Sequence, residues 1–150
     1  MKADGYQLTA FSKIAIPALA LLGMGISAYL THVKLAGAEI FCIGGGRGCE
    51  AVNLSPYSQI AGIPIAAMGF GAYLAIFAIS CWEARARASI RQQLRLGLFA
   101  LSLIGVLYSG YLTYLQRFVI GAFCSWCVAS AVIISIIFVL ALINLRSVPA

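Results

Sequence analysis

The sequence has few charged residues, and acidic ones are especially rare. Of its 150 residues only 9% are charged, ten basic against four acidic, whereas a soluble domain carries about 25% charged residues. Hydrophobic residues make up 63% of the chain, which excludes a water-soluble globule, a disordered chain and a collagen-like fibre. The net charge of +6 does not indicate nucleic-acid binding, because most basic residues flank long uncharged runs. That pattern is typical of membrane topology.

Common cofactor motifs are missing as well. No Gly-x-Gly-x-x-Gly fingerprint for a flavin or nicotinamide nucleotide follows a strand, and His32 is the only histidine available to ligate haem. We interpret His32, at a predicted helix end, as an interfacial residue. No internal repeat and no second soluble domain is visible.

Long apolar runs predict four membrane-spanning helices, since each span needs about 20 mostly apolar residues. We place the spans at about 14–33, 63–82, 95–116 and 123–145, within one membrane domain of residues 1–150. The fold class is therefore an all-α integral membrane protein, a four-transmembrane-helix bundle. The first span is interpreted as retained, because its apolar run exceeds the roughly 7–15 residues of a cleaved signal peptide.

Basic residues are distributed unevenly between the two sides of the membrane. Seven of the ten fall on the side of the termini: Lys2, Lys13, Arg85, Arg87, Arg91, Arg95 and Arg146. The other three are Lys34, Arg47 and Arg117. Because basic residues are retained in the cytoplasm, both termini are predicted to be cytoplasmic. Residues 83–95 are then expected to form a cytoplasmic loop, and residues 32–62 and 116–123 to face the outer, oxidising compartment.

Four of the five cysteines are predicted to lie at that outer face. Cys42 and Cys49 fall in the first outer loop, whereas Cys124 and Cys127 open the fourth span. Residues three apart share a helix face, and the partial positive charge of a helix N-terminus favours the nucleophilic thiolate. Cys124-x-x-Cys127 is therefore interpreted as a redox motif. Cys81, at the cytoplasmic end of the second span, is interpreted as a small buried hydrophobic residue.

The two cysteine pairs favour a disulfide relay. Four of the six residues between Cys42 and Cys49 are glycine, which makes this ring mobile enough to pass a disulfide between a soluble partner and the membrane pair. Two structural disulfides or a four-cysteine zinc site are the alternatives. We favour the relay and predict no metal.

A relay needs a final acceptor, and an apolar bundle with thiols at one end suits a lipid-soluble quinone, which takes two electrons as a dithiol gives two. Ile65, Met68 and Ala72 share one face of the second helix, and Leu112 of the third lies at a similar depth. These four residues are candidate walls of a quinone site, although ordinary bundle packing gives the same pattern.

In the order of its motifs the sequence resembles the vitamin K epoxide reductase family, specifically its bacterial thiol-oxidising homologues. The matching features, from about residue 14 to 145, are Cys42 and Cys49, Ser55, Gly62-Ile63-Pro64, Gly69 and Cys124-x-x-Cys127. The other quinone-coupled family, DsbB, differs because its Cys-x-x-Cys lies in the first outer loop.

The resemblance implies a bundle around a quinone, capped by the first outer loop with a short helix near Ser55. Ser55 and Pro56 suit the N-cap and first position of that helix. The resemblance further implies that Cys42 faces the soluble partner, Cys49 is the shuttle, Cys124 its acceptor and Cys127 the neighbour of the quinone. Ser55 is expected near the quinone.

Two departures from the family pattern bear on function. Animal members have a tyrosine where this sequence has Ala131, another candidate quinone neighbour, and the missing hydroxyl argues against epoxide reduction. Many bacterial members continue into a thioredoxin-like domain, whereas this chain ends at Ala150. The partner is therefore expected to be a separate, soluble, periplasmic thioredoxin-fold protein similar to DsbA.

The predicted function is a quinone-dependent thiol oxidase of the inner membrane, an enzyme that uses ubiquinone, menaquinone or a related quinone. One alternative is a vitamin K quinone or epoxide reductase driven by dithiols. The other is a non-catalytic membrane maturation factor whose disulfides are structural.

Overall fold

Four long apolar helices dominate the structure, a computed structural model that describes residues 2–147. They are α1 (Lys2–Ala36), α3 (Ile65–Arg85), α4 (Ala88–Leu115) and α5 (Ser125–Arg146), and a short helix α2 (Gly48–Leu54) separates the first two. Each long helix has the length and composition to cross a membrane. The predicted fold class, a four-helix membrane bundle, is confirmed. Residues 1 and 148–150 of the expected domain lie outside the described part of the chain.

The long helices form a closed ring in which each contacts two neighbours. α1 packs on α3 and α5, and α4 packs on the same two helices from the other side. The core lies along their shared axis and contains Ile16, Ala20, Tyr73, Ile76, Leu98, Ile134 and Ile137. Close packing requires a small residue at Gly23, where an added Cβ would lie 2.4 Å from the Tyr73 ring. Small residues of this kind let membrane helices approach each other.

The connection between α3 and α4 corrects one expectation. Residues 83–95 do not form a loop, because α3 continues to Arg85 and α4 begins at Ala88. Hydropathy detects only the segment that contacts lipid, whereas arginine is a good helix former and extends the helix past the apolar run. The arginines of this region are therefore carried mainly on helix ends.

Residues 37–64 form a capping segment over the other end of the bundle. Helix α2 is followed by a single turn of 3₁₀-helix (Pro56–Ser58) and a hairpin of β1 (Gln59–Ile60) with β2 (Ile63–Pro64). Ala61 and Gly62 turn the hairpin at φ values of 51° and 83°. Two consecutive positive φ angles are the signature of the tight turns that match strand twist. Because Gly62 to Pro64 belong to this hairpin, α3 starts at Ile65.

Hydrogen bonds tie the capping segment to α1. Lys34 Nζ donates to the Asn53 carbonyl at 2.8 Å and also contacts the Ser58 hydroxyl. The Ser58 hydroxyl donates to the same Asn53 carbonyl at 2.6 Å. Ser55 occupies the N-cap position before Pro56, as expected, but its hydroxyl makes no capping bond. It donates instead to the Val52 carbonyl at 2.8 Å and so closes the end of α2.

A buried polar network connects all four long helices at the opposite end. Arg95 of α4 donates to Glu83 of α3 at 2.8 Å and to the Asn144 carbonyl of α5 at 3.3 Å. The Ser12 hydroxyl of α1 donates to Asn144 Oδ1 at 2.6 Å. We call these four residues the four-helix clamp. The side chains of Glu83 and Arg95 are only 4% and 11% exposed, so each buried charge is stabilised mainly by the other.

Arg95→Met is expected to destabilise the bundle by about 3 kcal/mol, because it leaves the Glu83 carboxylate buried without its charged partner. The double variant Glu83→Gln, Arg95→Met should recover most of that loss, since no unpaired charge remains. Unfolding of the purified protein in detergent measures both. Equal stability of the single variant and the wild type would show that the clamp does not hold the helices.

Candidate active site

Cys42 and Cys49 form a disulfide within the capping segment, with their Cα atoms 5.6 Å apart. Cys49 lies in the first turn of α2 and is fully buried, whereas most of the ring between the two cysteines is exposed. Gly44, Gly45 and Gly46 have φ values between 80° and 92°, a left-handed run that other residues rarely adopt. Glycine at these three positions therefore lets the backbone of the ring follow this path without strain.

Cys124 and Cys127 meet at the start of α5. Cys124 is the N-cap residue, and its sulfur accepts a hydrogen bond from the Cys127 backbone N–H at 3.3 Å. The Cys127 thiol donates to the same sulfur at 2.7 Å. This thiol hydrogen bond lowers the pKa of Cys124 below its ordinary value, and the backbone N–H groups of the first turn add to the effect against the opposing influence of burial.

The two cysteine pairs share one buried cluster. Cys42, Cys49 and Cys124 pack together with Val52, and Cys127 contacts this cluster. Helix α2 lies directly on the chain before Cys124, since a Cβ added to Gly48 would lie 2.2 Å from the Phe123 carbonyl oxygen. The contact permits only glycine at the start of α2 and brings the loop disulfide next to the Cys-x-x-Cys pair.

The Ser125 hydroxyl lies between the two pairs. It is 3.4 Å from both Cys42 Sγ and Cys49 Sγ, and it accepts a hydrogen bond from the Ile43 backbone N–H at 3.1 Å. A hydroxyl has one proton to donate, so it can stabilise whichever sulfur carries negative charge. Ser125 is thus placed to assist thiolate formation at either cysteine of the loop disulfide.

Two aromatic side chains hold the chain just before Cys42. Trp126 Nε1 donates to the Phe41 carbonyl at 2.7 Å, and the Phe41 N–H donates to the Tyr29 hydroxyl at 3.2 Å. The Tyr29 and Trp126 rings are themselves in contact, with centroids 5.3 Å apart. The Phe41 and Ile43 side chains remain 75% and 56% exposed on either side of Cys42. An apolar surface therefore surrounds the outermost cysteine.

A cavity of about 380 Å³ lies beneath the capping segment and is lined by residues of all four long helices. Its volume falls within the range of about 300–1,000 Å³ that small-molecule sites occupy. Cys127 forms part of the wall, and apolar atoms dominate the rest. The expected residues Ser55, Ile65, Met68, Ala72 and Leu112 all line this cavity. The space and the lining fit an apolar ring with one polar edge beside Cys127.

Ala131 does not line this cavity. It lies one turn after Cys127 but is rotated towards Val128 and Ser135, with which it lines a groove between α4 and α5. The cavity face of α5 instead continues through Ser130 and Ile134. The helical repeat of 3.6 residues per turn carries Ala131 past the edge of the cavity, so it lies apart from the other candidate quinone neighbours.

Several residues of the site were not anticipated from the sequence: Ser125, Trp126, Asn53 and Gln116. Gln116 accepts a hydrogen bond from the Cys124 N–H at 3.0 Å and also lines the cavity. A polar residue at the end of a predicted span ordinarily lies at the membrane interface, so the residue type alone does not predict a functional role for Gln116. Its closeness in sequence to the Cys-x-x-Cys would have marked it as a candidate, but not the direction in which its side chain points.

Cys81 is a free thiol on α3, in the turn before Arg85, at the end of the bundle opposite the other cysteines. Within residues 2–147 no group of histidine, cysteine or acidic side chains has an arrangement suited to a metal ion.

Comparison with known proteins assigns the chain to a family. The sequence profile of the vitamin K epoxide reductase family matches residues 14–142, which include both cysteine pairs and most of each long helix. The chain belongs to the vitamin K epoxide reductase family. This family membership, with the four apolar helices, makes it a multi-pass membrane protein.

A curated relative has the same family domain within a longer chain. The thiol-disulfide oxidoreductase LTO1 of Arabidopsis thaliana is 30% identical over 109 residues. The match covers 70% of this chain but only 29% of the relative. This member of the vitamin K epoxide reductase family thus spans less than a third of the length of that relative.

The reactivity of Cys124 should depend on Cys127. A hydrogen bond to the thiolate stabilises the charged form, so Cys127→Ala should raise the pKa of Cys124. In the reduced protein, with the other thiols replaced by alanine, alkylation of Cys124 by iodoacetamide should then require a higher pH, and the midpoint of rate against pH reports the shift. An unchanged midpoint would show that the Cys127 thiol does not donate to Cys124.

Proposed function

We propose that this protein is a quinone-dependent thiol oxidase, which forms disulfides in a soluble thioredoxin-fold partner. The observation that carries the proposal is the location of both cysteine pairs in one cluster, with Cys127 in the cavity wall. A disulfide can pass between such pairs by thiolate attack without large movement of the helices. The name of LTO1, a thiol-disulfide oxidoreductase, supports the same class of reaction.

The outer exchange begins at the loop disulfide. A thiolate of the partner attacks Cys42 Sγ, a mixed disulfide forms, and Cys49 leaves as a thiolate. The second thiol of the partner then attacks the mixed disulfide, which releases Cys42 and leaves the partner oxidised. Ser125, 3.4 Å from both sulfurs, donates a hydrogen bond to each leaving thiolate in turn. The exposed Phe41 and Ile43 side chains provide the apolar contact surface for this partner.

The inner exchange returns the disulfide to the loop. Starting from an oxidised Cys124–Cys127 pair, the Cys49 thiolate attacks Cys124 Sγ and Cys127 leaves. Cys42 then attacks Cys49, re-forms the loop disulfide and releases Cys124 as a thiolate. The hydrogen bonds that lower the pKa of Cys124 make it a good leaving group. The disulfide in the loop and the free thiols of Cys124 and Cys127 support this order of exchange.

The last step takes place at the cavity. A quinone bound there accepts two electrons and two protons and leaves as the quinol. On the protein side, Cys124 and Cys127 lose the same two electrons and two protons and form their disulfide. The apolar walls exclude water, and Cys127 is the sulfur with access to the cavity. Ubiquinone, menaquinone and related quinones all have the ring and the carbonyl edge that this space fits.

The relay forms disulfides in partner proteins on the outer side of the membrane. Seven of the ten basic residues belong to the end of the bundle opposite the two pairs, which supports cytoplasmic termini and an active site on the periplasmic face of the inner membrane. That side is the compartment in which protein disulfides persist.

A vitamin K epoxide reductase is disfavoured, because Ala131 has no hydroxyl and lies outside the cavity. Conversion of vitamin K epoxide by the purified protein would overturn this point. A maturation factor with inert disulfides would reduce no quinone with any dithiol.

Cys127→Ala should abolish quinone reduction, to below about 1% of the wild-type rate, because the cavity loses its sulfur. The same variant should still allow a Cys49–Cys124 bridge, because the Cys124 thiolate can attack Cys49 of the loop disulfide and release Cys42 as a thiolate. Quinone absorbance and mass mapping of the bridge measure the two effects. Cys81→Ala, which removes a thiol at the opposite end, is the matched control and should keep the wild-type rate. Normal quinone reduction by Cys127→Ala would refute the proposed relay.

A further inference from the structure

Gln116 is a buried amide that connects the Cys-x-x-Cys pair to the cavity. It is the first residue of a π-helical turn (Gln116–Ile120) that follows α4, and it is 3% exposed. Its Oε1 accepts the Cys124 backbone N–H at 3.0 Å, and the residue lines the cavity that also contains Cys127. π-helical turns of this kind occur frequently at functional sites.

The hydrogen bond from Cys124 fixes which way the amide faces. A backbone N–H can only donate, so the oxygen of the amide must face Cys124 and its NH₂ group must face away. Among residues 2–147 no group accepts a hydrogen bond from Gln116 Nε2. In the described chain Arg91 Nε is the one side-chain N or O atom that is both buried and without a hydrogen-bond partner, so Gln116 Nε2 is not fully buried. Because Gln116 lines the cavity, we take the cavity as the space that its NH₂ group faces.

The backbone around Gln116 is held as firmly as its side chain. The Gln116 carbonyl accepts the Ala122 N–H at 3.1 Å, which closes the π-helical turn. Gly121 then reverses the chain at a φ of 70° and leads it back to Cys124. Both ends of the eight-residue connection are thus fixed on Gln116, so its amide needs no rearrangement when a ligand enters.

Three polar side chains of the cavity already have acceptors for their protons. Tyr73 donates to the Ser130 backbone carbonyl at 2.9 Å, Thr113 to the Ser109 carbonyl at 2.8 Å and Ser55 to the Val52 carbonyl at 2.8 Å. Four further hydroxyls of the wall have no hydrogen bond within the described chain that orients them: Ser27, Tyr57, Tyr108 and Ser109. Asn53 is the other buried amide of the wall, but within the described chain no hydrogen bond orients its side chain. Gln116 is therefore the oriented donor with a proton to offer.

We propose that Gln116 Nε2 donates a hydrogen bond to the quinone carbonyl oxygen next to Cys127. This inference rests on the proposed function and names the residue that recognises the substrate. The carbonyl oxygen gains negative charge as Cys124 and Cys127 form their disulfide and becomes the hydroxyl of the quinol. A fixed N–H donor stabilises that charge in a site without water. The same amide holds Cys124 by its oxygen, so one side chain positions both the sulfur pair and the oxygen that receives the electrons.

Gln116→Met removes the donor and keeps the approximate volume of the side chain. We expect it to weaken binding of menadione, the probe quinone, about tenfold, which corresponds to about 1.4 kcal/mol. Binding of methylnaphthalene, which has the same ring system without carbonyl groups, should not change. Titration of each ligand into the full-length protein in lipid nanodiscs measures both affinities. Gln93→Met, the same substitution at an exposed position of α4, is the matched control and should match the wild type for both ligands.

Gln116→Glu separates the two ends of the amide. Its carboxylate can still accept the Cys124 N–H but offers no proton to the cavity, so menadione binding should fall as in Gln116→Met. In a Cys42→Ala, Cys127→Ala background, treatment with the thiol oxidant diamide should nevertheless form the Cys49–Cys124 bridge with Gln116→Glu, because Cys124 keeps its hydrogen bond. This bridge also reports that the variant is folded.

Unchanged menadione affinity in Gln116→Met would exclude the hydrogen bond, and an equal loss of affinity for menadione and methylnaphthalene would show a purely structural role. Both results are separable from failure of the proposed function. If the wild-type protein reduces menadione with a dithiol, the proposed function is supported whatever the variants show. If the wild-type protein does not reduce menadione, the proposed function itself is refuted.

Discussion

The contact between Gly48 and the Phe123 carbonyl is the constraint on which the rest of the structure depends. It seats the start of α2 directly on the chain that enters α5, and it buries Cys49 and Cys124 in one cluster. The same contact holds the capping segment over the cavity, where Ser55 and Asn53 complete the wall. A side chain larger than hydrogen at position 48 would separate the two cysteine pairs and uncover the cavity together. The proposed relay and the proposed quinone site therefore depend on the same contact.

The two ends of the bundle have different tasks. At one end the four-helix clamp fixes α1, α3, α4 and α5 through a buried ion pair and amide hydrogen bonds. At the other end the helices separate enough to enclose a cavity of about 380 Å³. The buried ion pair thus lies at the end away from the two cysteine pairs. This division is consistent with the proposed relay, in which Cys42 meets a soluble partner and Cys127 faces the cavity.

Hydropathy and the distribution of the cysteines were sufficient to predict the bundle, because transfer into lipid depends mainly on composition along the chain. Helical spacing and membrane depth placed Ile65, Met68, Ala72 and Leu112 together, and all four line the cavity. Ala131 was named from its family position, which does not fix the rotation of a helix around its axis, and in the structure it lines a different groove. Helix α2, the π-helical turn and the orientation of Gln116 were out of reach, because they arise from contacts between segments far apart in sequence. No local pattern encodes the approach of Gly48 to Phe123.

The most direct test of the account is mass mapping of all disulfides in wild-type protein, quenched with acid during turnover with a dithiol and a quinone. The account predicts three linkages, Cys42–Cys49, Cys124–Cys127 and the transient Cys49–Cys124, with Cys81 always recovered as a free thiol. A linkage that contains Cys81, or the lasting absence of any bond between the two pairs, would contradict it.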